Sequence, residues 1–231
     1  TSAATYVLWN WKAGGAPTAD NSAGAGATPT AGSVKIDGSN LGSALAGDIA
    51  ATRISANTTA GFSIVKYEGN DTSAQTVGHG LSAAPELVIV KNIDVAEHWA
   101  TGSSVMTSWS YYMYLNDTRA ETLDANKFGA TPSASVFTVG DAANTNENTL
   151  IAYCFHSVEG YSKVGAYSGN GNADGPFIYL DFRPAWIMVK GYAGTDDWII
   201  MDNKRAGYNS NNDILDANNS SAETDGSGNI D

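Results

Sequence analysis

An all-β fold is the class that this sequence predicts, on three observations. Its apolar residues fall in strand-length runs rich in Val, Ile, Phe, Tyr and Trp, each bounded by Gly, Pro, Asn or Asp. No stretch sustains a helical period. Whole phrases return about a hundred residues later, which is the mark of an internal repeat.

Taken in chain order, Thr5–Trp11 (TYVLWNW) opens with the rhythm of a strand. Residues 13–58 are dominated by Ala, Gly, Ser and Thr, and within them "SVKIDG" and "ATRISA" are short-strand candidates. Further strands are predicted at "FSIVKY", "ELVIVKN", "SVFTVG", "TLIAYCF", "PFIYL", "AWIMVKG" and "WIIMD". "AETLDANKF" has room for one or two helical turns.

The repeat sets the expected organisation. Gly61-Phe62-Ser63 returns as Gly160-Tyr161-Ser162, Pro85 as Pro184, Val90-Lys91 as Val189-Lys190 and Trp99 as Trp198, all at an offset of 99. Tyr67-Glu68-Gly69-Asn70 matches Tyr167-Ser168-Gly169-Asn170 one residue later, so Gly165 is read as an extra residue in a β-bulge. Ala120-Glu121-Thr122 matches Ala222-Glu223-Thr224 at 102. The expected units are a terminal strand of a preceding copy (1–12), a low-bulk insertion or arm (13–60), copy one (61–155) and a truncated copy two (156–231). A fragment of a longer chain is the favoured reading, since the first residue is Thr and the end falls in mid-pattern; the other is an opening strand that folds back to complete copy two. For the insertion two readings stand: an arm on a neighbouring subunit, or a flexible surface loop.

The formal net charge of −12 repels nucleic acid phosphates and anionic lipid, and no apolar run reaches membrane-spanning length. Neither nucleic acid binding nor membrane insertion is expected. Cys154, the one cysteine, lies between Tyr153 and Phe155 and is read as a buried apolar filler.

Candidate chemistry is sparse. Asn170, Asn172, Asp174 and, further on, Asp181 approximate the spacing of a calcium loop, in which alternating oxygen side chains converge on the ion. Asn stands for the first Asp and Asp for the last Glu, and a Gly/Asn-rich turn is the competing reading. No other cofactor is expected. His79, His98 and His156 sit on separate segments, which argues against a zinc site. Asp196, Asp197, Asp181 and Glu121 are the first carboxylates to consider for glycoside hydrolysis, with nothing to rank them. "SWSYYMYLN" places Trp109, Tyr111 and Met113 on one face of a strand and Tyr112 and Tyr114 on the other. One face is expected to be core and the other a subunit interface or a stacking platform for a glycan.

The phrases "TYVLWNWKAGG", "AGSVKIDGSNLGSALAGDIAATRISANTTAGFSIVKYEGN", "TVGHGLSAAPELVIVKN", "LIAYCFHSVEGYSKVGAYSGNGNADGPF" and "FRPAWIMVKG" cover most of the chain in order. Together they resemble the repeated β-rich modules of tailed-phage structural proteins, especially marine ones. The resemblance implies tandem β-sandwich, jelly-roll-like repeats with a long Ala/Gly/Ser/Thr-rich inserted loop. It implies a virion protein, a tail fibre or tail appendage in contact with other tail proteins and with a host surface glycan or receptor, self-associating as a homotrimer. It supplies no catalytic residues, and a non-enzyme is expected. The alternatives are a tail-associated glycan depolymerase and a capsid-decorating or cell-surface fibrous structural protein.

Overall fold

The computed structural model describes residues 6–172, 174–205 and 211–230, the side chains of 211–212 and 226–230 left aside. Among the described residues, fifteen β-strands and one 3-10 turn at Asp141–Ala143 make up the regular structure, so the fold is all-β. The apolar runs have become strands because β-branched and aromatic side chains fit a pleated, half-buried surface.

Nine strands form the main sheet, in the order β2-β1-β3-β4-β11-β6-β7-β8-β9. Its centre is β11 (Thr149–Phe155), antiparallel to β4 (Phe62–Glu68) on one side and to β6 (Leu87–Asn92) on the other. Beyond β6 come β7 (Ala100–Ser103), β8 (Tyr111–Tyr114) and β9 (Thr122–Leu123). Beyond β4 come β3 (Arg53–Asn57), β1 (Val34–Ile36) and β2 (Ser39–Asn40). Asp37 and Gly38 join β1 to β2 with positive φ at both positions, the two-residue turn whose twist suits a hairpin.

Alternation along β11 buries Leu150, Ala152 and Cys154 on one face, beside Val65, Tyr67, Val88 and Val90. A two-stranded ribbon of β5 (Gln75–Gly78) and β10 (Val136–Val139) contributes Val77, Phe137 and Val139 to the same core. Tyr67 crosses the core edge-on to Phe137 and donates its hydroxyl to the Ala143 carbonyl at 2.9 Å, which satisfies the one polar atom that it buries.

Part of the Ala/Gly-rich insertion packs into the main core. β1, β2 and β3 all lie within it, and Val34, Leu45, Ile49, Ala51, Ile54 and Ala56 are buried in the shared core. Small residues are used where backbones meet: a Cβ at Gly80 would stand 3.0 Å from Ala56 Cβ.

A second sheet holds β12 (Trp186–Lys190), β13 (Trp198–Asp202), β14 (Asn211–Asp216) and β15 (Thr224–Ile230), in that order. Its pairings reproduce those of β6–β9. Leu87 faces Ser103 and Trp186 faces Asp202; Ala100 faces Tyr114 and Ile199 faces Asp216; Tyr112 faces Thr122 and Ile214 faces Thr224. Asn116 Oδ1 accepts the Trp99 amide at 2.9 Å as Asn218 Oδ1 accepts the Trp198 amide at 2.7 Å.

Two expectations for residues 156–185 need correction. No strand forms among the described residues there, so "PFIYL" is not one: Phe177 and Tyr179 are 88% and 73% exposed. Gly165 makes no bulge, because there is no ladder to bulge from. β4 is held between β3 and β11, whereas among the described residues the β4-like stretch of 156–231 joins no sheet and makes only the isolated bridge of Ser162 to Val158. "AETLDANKF" is not helical either: Thr122 and Leu123 pair with β8 and a turn follows. Of the expected opening strand, residues 6–12 join no ladder, and residues 1–5 lie outside the described residues.

Candidate functional site

The aromatic strand β8 lies where the two sheets meet. Tyr111 packs with Met106, Met113, Leu115, Met188 and Trp198, so the second face of this strand is covered by the second sheet of the same chain. Trp198 Nε1 donates to the Tyr114 carbonyl at 2.9 Å and ties the sheets together. Trp99, at the matching repeat position, instead stacks on Tyr153 with ring centroids 6.2 Å apart.

The expected glycan platform does not stand open here. Trp109 and Tyr112 are both 6% exposed and belong to the main core. Trp109 precedes the strand, so alternation does not carry it to the face of Tyr111; it packs edge-on to Phe128 at 6.0 Å. Tyr114 is stacked by His98 at 4.4 Å, while the Arg119 guanidinium lies 5.0 Å from its ring. Burial pushes the Tyr114 phenol up to about 12, with Tyr112 beside it adding to the effect. Trp109 and Tyr112 are thus core residues, while Tyr111 and Tyr114 are half-buried.

One exposed group of aromatic side chains lies on the strandless segment after β11. Tyr161, Tyr167, Phe177 and Tyr179 are all more than half exposed there. Tyr179 donates its hydroxyl to Asp181 Oδ1 at 2.6 Å, which sets a flat ring beside an exposed carboxylate. Sequence reading passed over this group because "PFIYL" has strand composition; the signal it held was the want of a pairing partner.

In the calcium-like loop the oxygens serve the loop itself. Asn170 Oδ1 accepts the Asn172 amide at 3.0 Å, Asn172 Oδ1 accepts the Asp174 amide at 3.3 Å, and Asn170 Nδ2 donates to the Asp174 carbonyl at 2.8 Å. These are Asx turns. Asp181 is engaged by Tyr179, and among the described residues no group of three His, Cys, Asp or Glu is placed to hold a metal ion.

The other candidates are individually engaged. Glu121 accepts the Thr107 amide at 3.0 Å and the Thr107 hydroxyl. Asp197 accepts from Asn218 at 2.7 Å. Cys154 is fully buried, and burial pushes its thiol up to about 12, where it is no nucleophile. His79 is fully buried and bonded at both ring nitrogens, to the Leu81 amide and the Ser133 carbonyl. His156 Nδ1 lies 2.8 Å from the Ser157 carbonyl.

One acidic group escaped the sequence reading because its members are distant along the chain. Asp213 on β14 faces Asp225 on β15. Its carboxyl is held above the ordinary value by desolvation first, then by Glu223 and Asp225. Arg205 binds Glu223 and Asp202, both at 2.7 Å, on the same sheet. On the other face of the main sheet, Ala13, Gly15, Pro17, Arg53, Ile64, Lys66 and Ile151 line a groove of about 490 Å³ whose walls carry no carboxylate.

The chain belongs to a family described as a domain of unknown function, DUF7483, whose model matches residues 34–231. No curated protein and no solved structure matches it.

Proposed function

We propose that this chain is a non-catalytic structural and adhesive module of a tailed-phage virion, part of a tail fibre or tail appendage that helps attach the particle to its host. The observation that carries the reading is the ordered set of phrases resembling phage tail modules. Its support in the fold is the matching register of β6–β9 and β12–β15, the arrangement expected of tandem β-sandwich modules. In this reading each complete module is a large sheet capped by a small ribbon, and Trp198 joins one module to the next. Copies associate as a homotrimer beside other tail proteins.

The host surface is met by Tyr161, Tyr167, Phe177 and Tyr179, since sugars lay their C–H faces on open rings and give hydroxyl protons to a carboxylate such as Asp181. Many copies on one particle let weak contacts sum. Gold-tagged antibody against the chain, applied to particles of a phage encoding it, is expected to decorate the tail appendage. Label confined to the capsid would favour a decorating protein instead.

A second reading, a tail-associated glycan depolymerase, is favoured by one observation: Asp213 and Asp225 face each other with Glu223 and Arg205 nearby. Release of reducing sugar from host capsule, abolished by Asp213→Asn, would establish it in place of the adhesive reading.

A further inference from the structure

The groove on the outer face of the main sheet has the build of a ligand site. Its volume of about 490 Å³ falls within the range of ligand clefts, about 300–1,000 Å³. Residues 13–17 wall it on one side, and β3, β4 and β11 supply the rest. That wall is fixed before any ligand arrives. The Ser55 hydroxyl donates to the Gly15 carbonyl at 2.7 Å, Asn57 Nδ2 to the Lys12 carbonyl at 3.1 Å and the Gly38 amide to the Gly14 carbonyl at 2.7 Å. A Cβ at Gly14 would stand 1.8 Å from the Ala56 carbonyl oxygen, so wall and sheet meet backbone to backbone.

Two cations stand in the groove side by side. Arg53 lies directly opposite Lys66 on the β3–β4 ladder, and Lys66 lies opposite Ile151 on the β4–β11 ladder. Like charges directly opposite destabilise a sheet, and a chain of net charge −12 has acidic side chains enough to neutralise both. It spends one of them here. Asp20, which is not part of the groove wall, pairs with Arg53 through Nε alone, so the two terminal nitrogens of the guanidinium stay uncommitted among the described residues. Lys66 is half-buried and has no ion-pair partner among the described residues. Asp20 also shows what this pair favours: its carboxyl is held below the ordinary value, first by the hydrogen bond from Arg53 and least by the charge of Lys66. Glu68, the acid nearest Lys66 along β4, sits at the exposed end of that strand.

The floor beside these cations is apolar, made by half-buried Ile64 and Ile151, with Pro17 on the wall. We propose that the groove binds the uronate units of an acidic polysaccharide. The carboxylate would be taken end-on by the Arg53 guanidinium, whose planar fork matches it, and by the Lys66 ammonium. The C–H face of the sugar ring would rest on Ile64 and Ile151. A sugar fits an open groove better than a wholly apolar acid does, because one face of its ring is covered while its hydroxyls stay in water. Bare phosphate would satisfy the cations but leave the apolar floor wet. The site is separate from the exposed rings of Tyr161, Tyr167, Phe177 and Tyr179, and the inference stands on the groove alone and needs no virion.

Calorimetric titration of the whole chain with short oligomers of galacturonate, glucuronate and mannuronate tests it. At least one of them is expected to fill a single saturable site. Methyl esterification of that oligomer, which removes its charge and keeps its rings, should abolish binding, and inorganic phosphate should bind more weakly. Arg53→Gln and Lys66→Gln should each weaken binding about tenfold or more, the loss of a charged hydrogen bond. Lys66→Gln should also resist urea as well as the parent chain or better, because it relieves the like-charge pair. Failure of all three uronates to bind, phosphate binding as tightly as they do, or unchanged affinity in variants shown to be folded by circular dichroism would overturn the proposal. So would a Lys66→Gln chain that loses stability, because the lysine would then serve the fold. These readouts are made in solution, so their failure leaves the virion assignment, tested by labelling, a separate question.

Discussion

Mild acid should destabilise this fold through one imidazole. His79 is fully buried beneath the loop that joins β5 to β6, with its ring nitrogens committed in opposite senses. The Leu81 amide donates to Nδ1 at 3.1 Å, so Nε2 carries the proton and gives it to the Ser133 carbonyl at 3.1 Å. A second proton would have to sit on Nδ1, directly against the Leu81 N–H. Desolvation is the largest cause: it holds His79 at about 4 against an ordinary 6.5, with the bond to the Ser133 carbonyl opposing it and His156 adding to it. Above pH 6.5 neither folded nor unfolded chain binds the proton, and the stabilisation is complete. Between 6.5 and about 4 only the unfolded chain takes it up, so stability falls; below about 4 both states are protonated and this group takes nothing more. The gap converts to about 3 kcal/mol. Urea unfolding from about pH 7 down to about pH 4 should show the loss, and His79→Gln should flatten the curve in that window. A wild-type curve flat through the window, or an equal slope in the variant, would refute the reasoning.

Other outcomes follow from the same contacts. Gly102→Ala would set a Cβ 2.7 Å from Phe128 Cδ2, and the overpacked core should lose about 1–3 kcal/mol by thermal or urea unfolding. Arg205→Ala leaves Asp202, its side chain 4% exposed, charged and short of its ion-pair partner, at a cost of about 3–5 kcal/mol. That loss should register in the second sheet, through the fluorescence of Trp198 and Trp186. Phe177→Ala with Tyr179→Ala should leave stability within about 0.5 kcal/mol, because both rings are exposed, while weakening adsorption of the chain to host cells.

Sequence alone carried the class of the fold and much of its pairing. The constant offset between Val90-Lys91 and Val189-Lys190 is the offset between the registers of β6–β7 and β12–β13, because period-2 burial fixes which residues can face one another. Cys154 was legible as a packing residue for the same reason. What eluded the reading depended on partners. The short strands at "SVKIDG" and "ATRISA" were legible in the Ala/Gly-rich stretch, but not that they join the main sheet, where Ile54 and Ala56 are buried because β4 lies beside them. "PFIYL" had the composition of a strand and found no ladder to join. Trp109 was given the face of Tyr111 by counting alternation past the start of β8, where a turn breaks the period. The facing pair Asp213 and Asp225 exists only once β14 and β15 are paired.

The claim that matters most is that this chain is built to assemble with copies of itself. Its native mass, measured by light scattering after size exclusion with and without a calcium chelator, tests that directly. The account predicts a stable multimer of three copies that chelation leaves intact, since the Asn170–Asp181 loop holds itself together by its own Asx turns. A monomer at every concentration would contradict it.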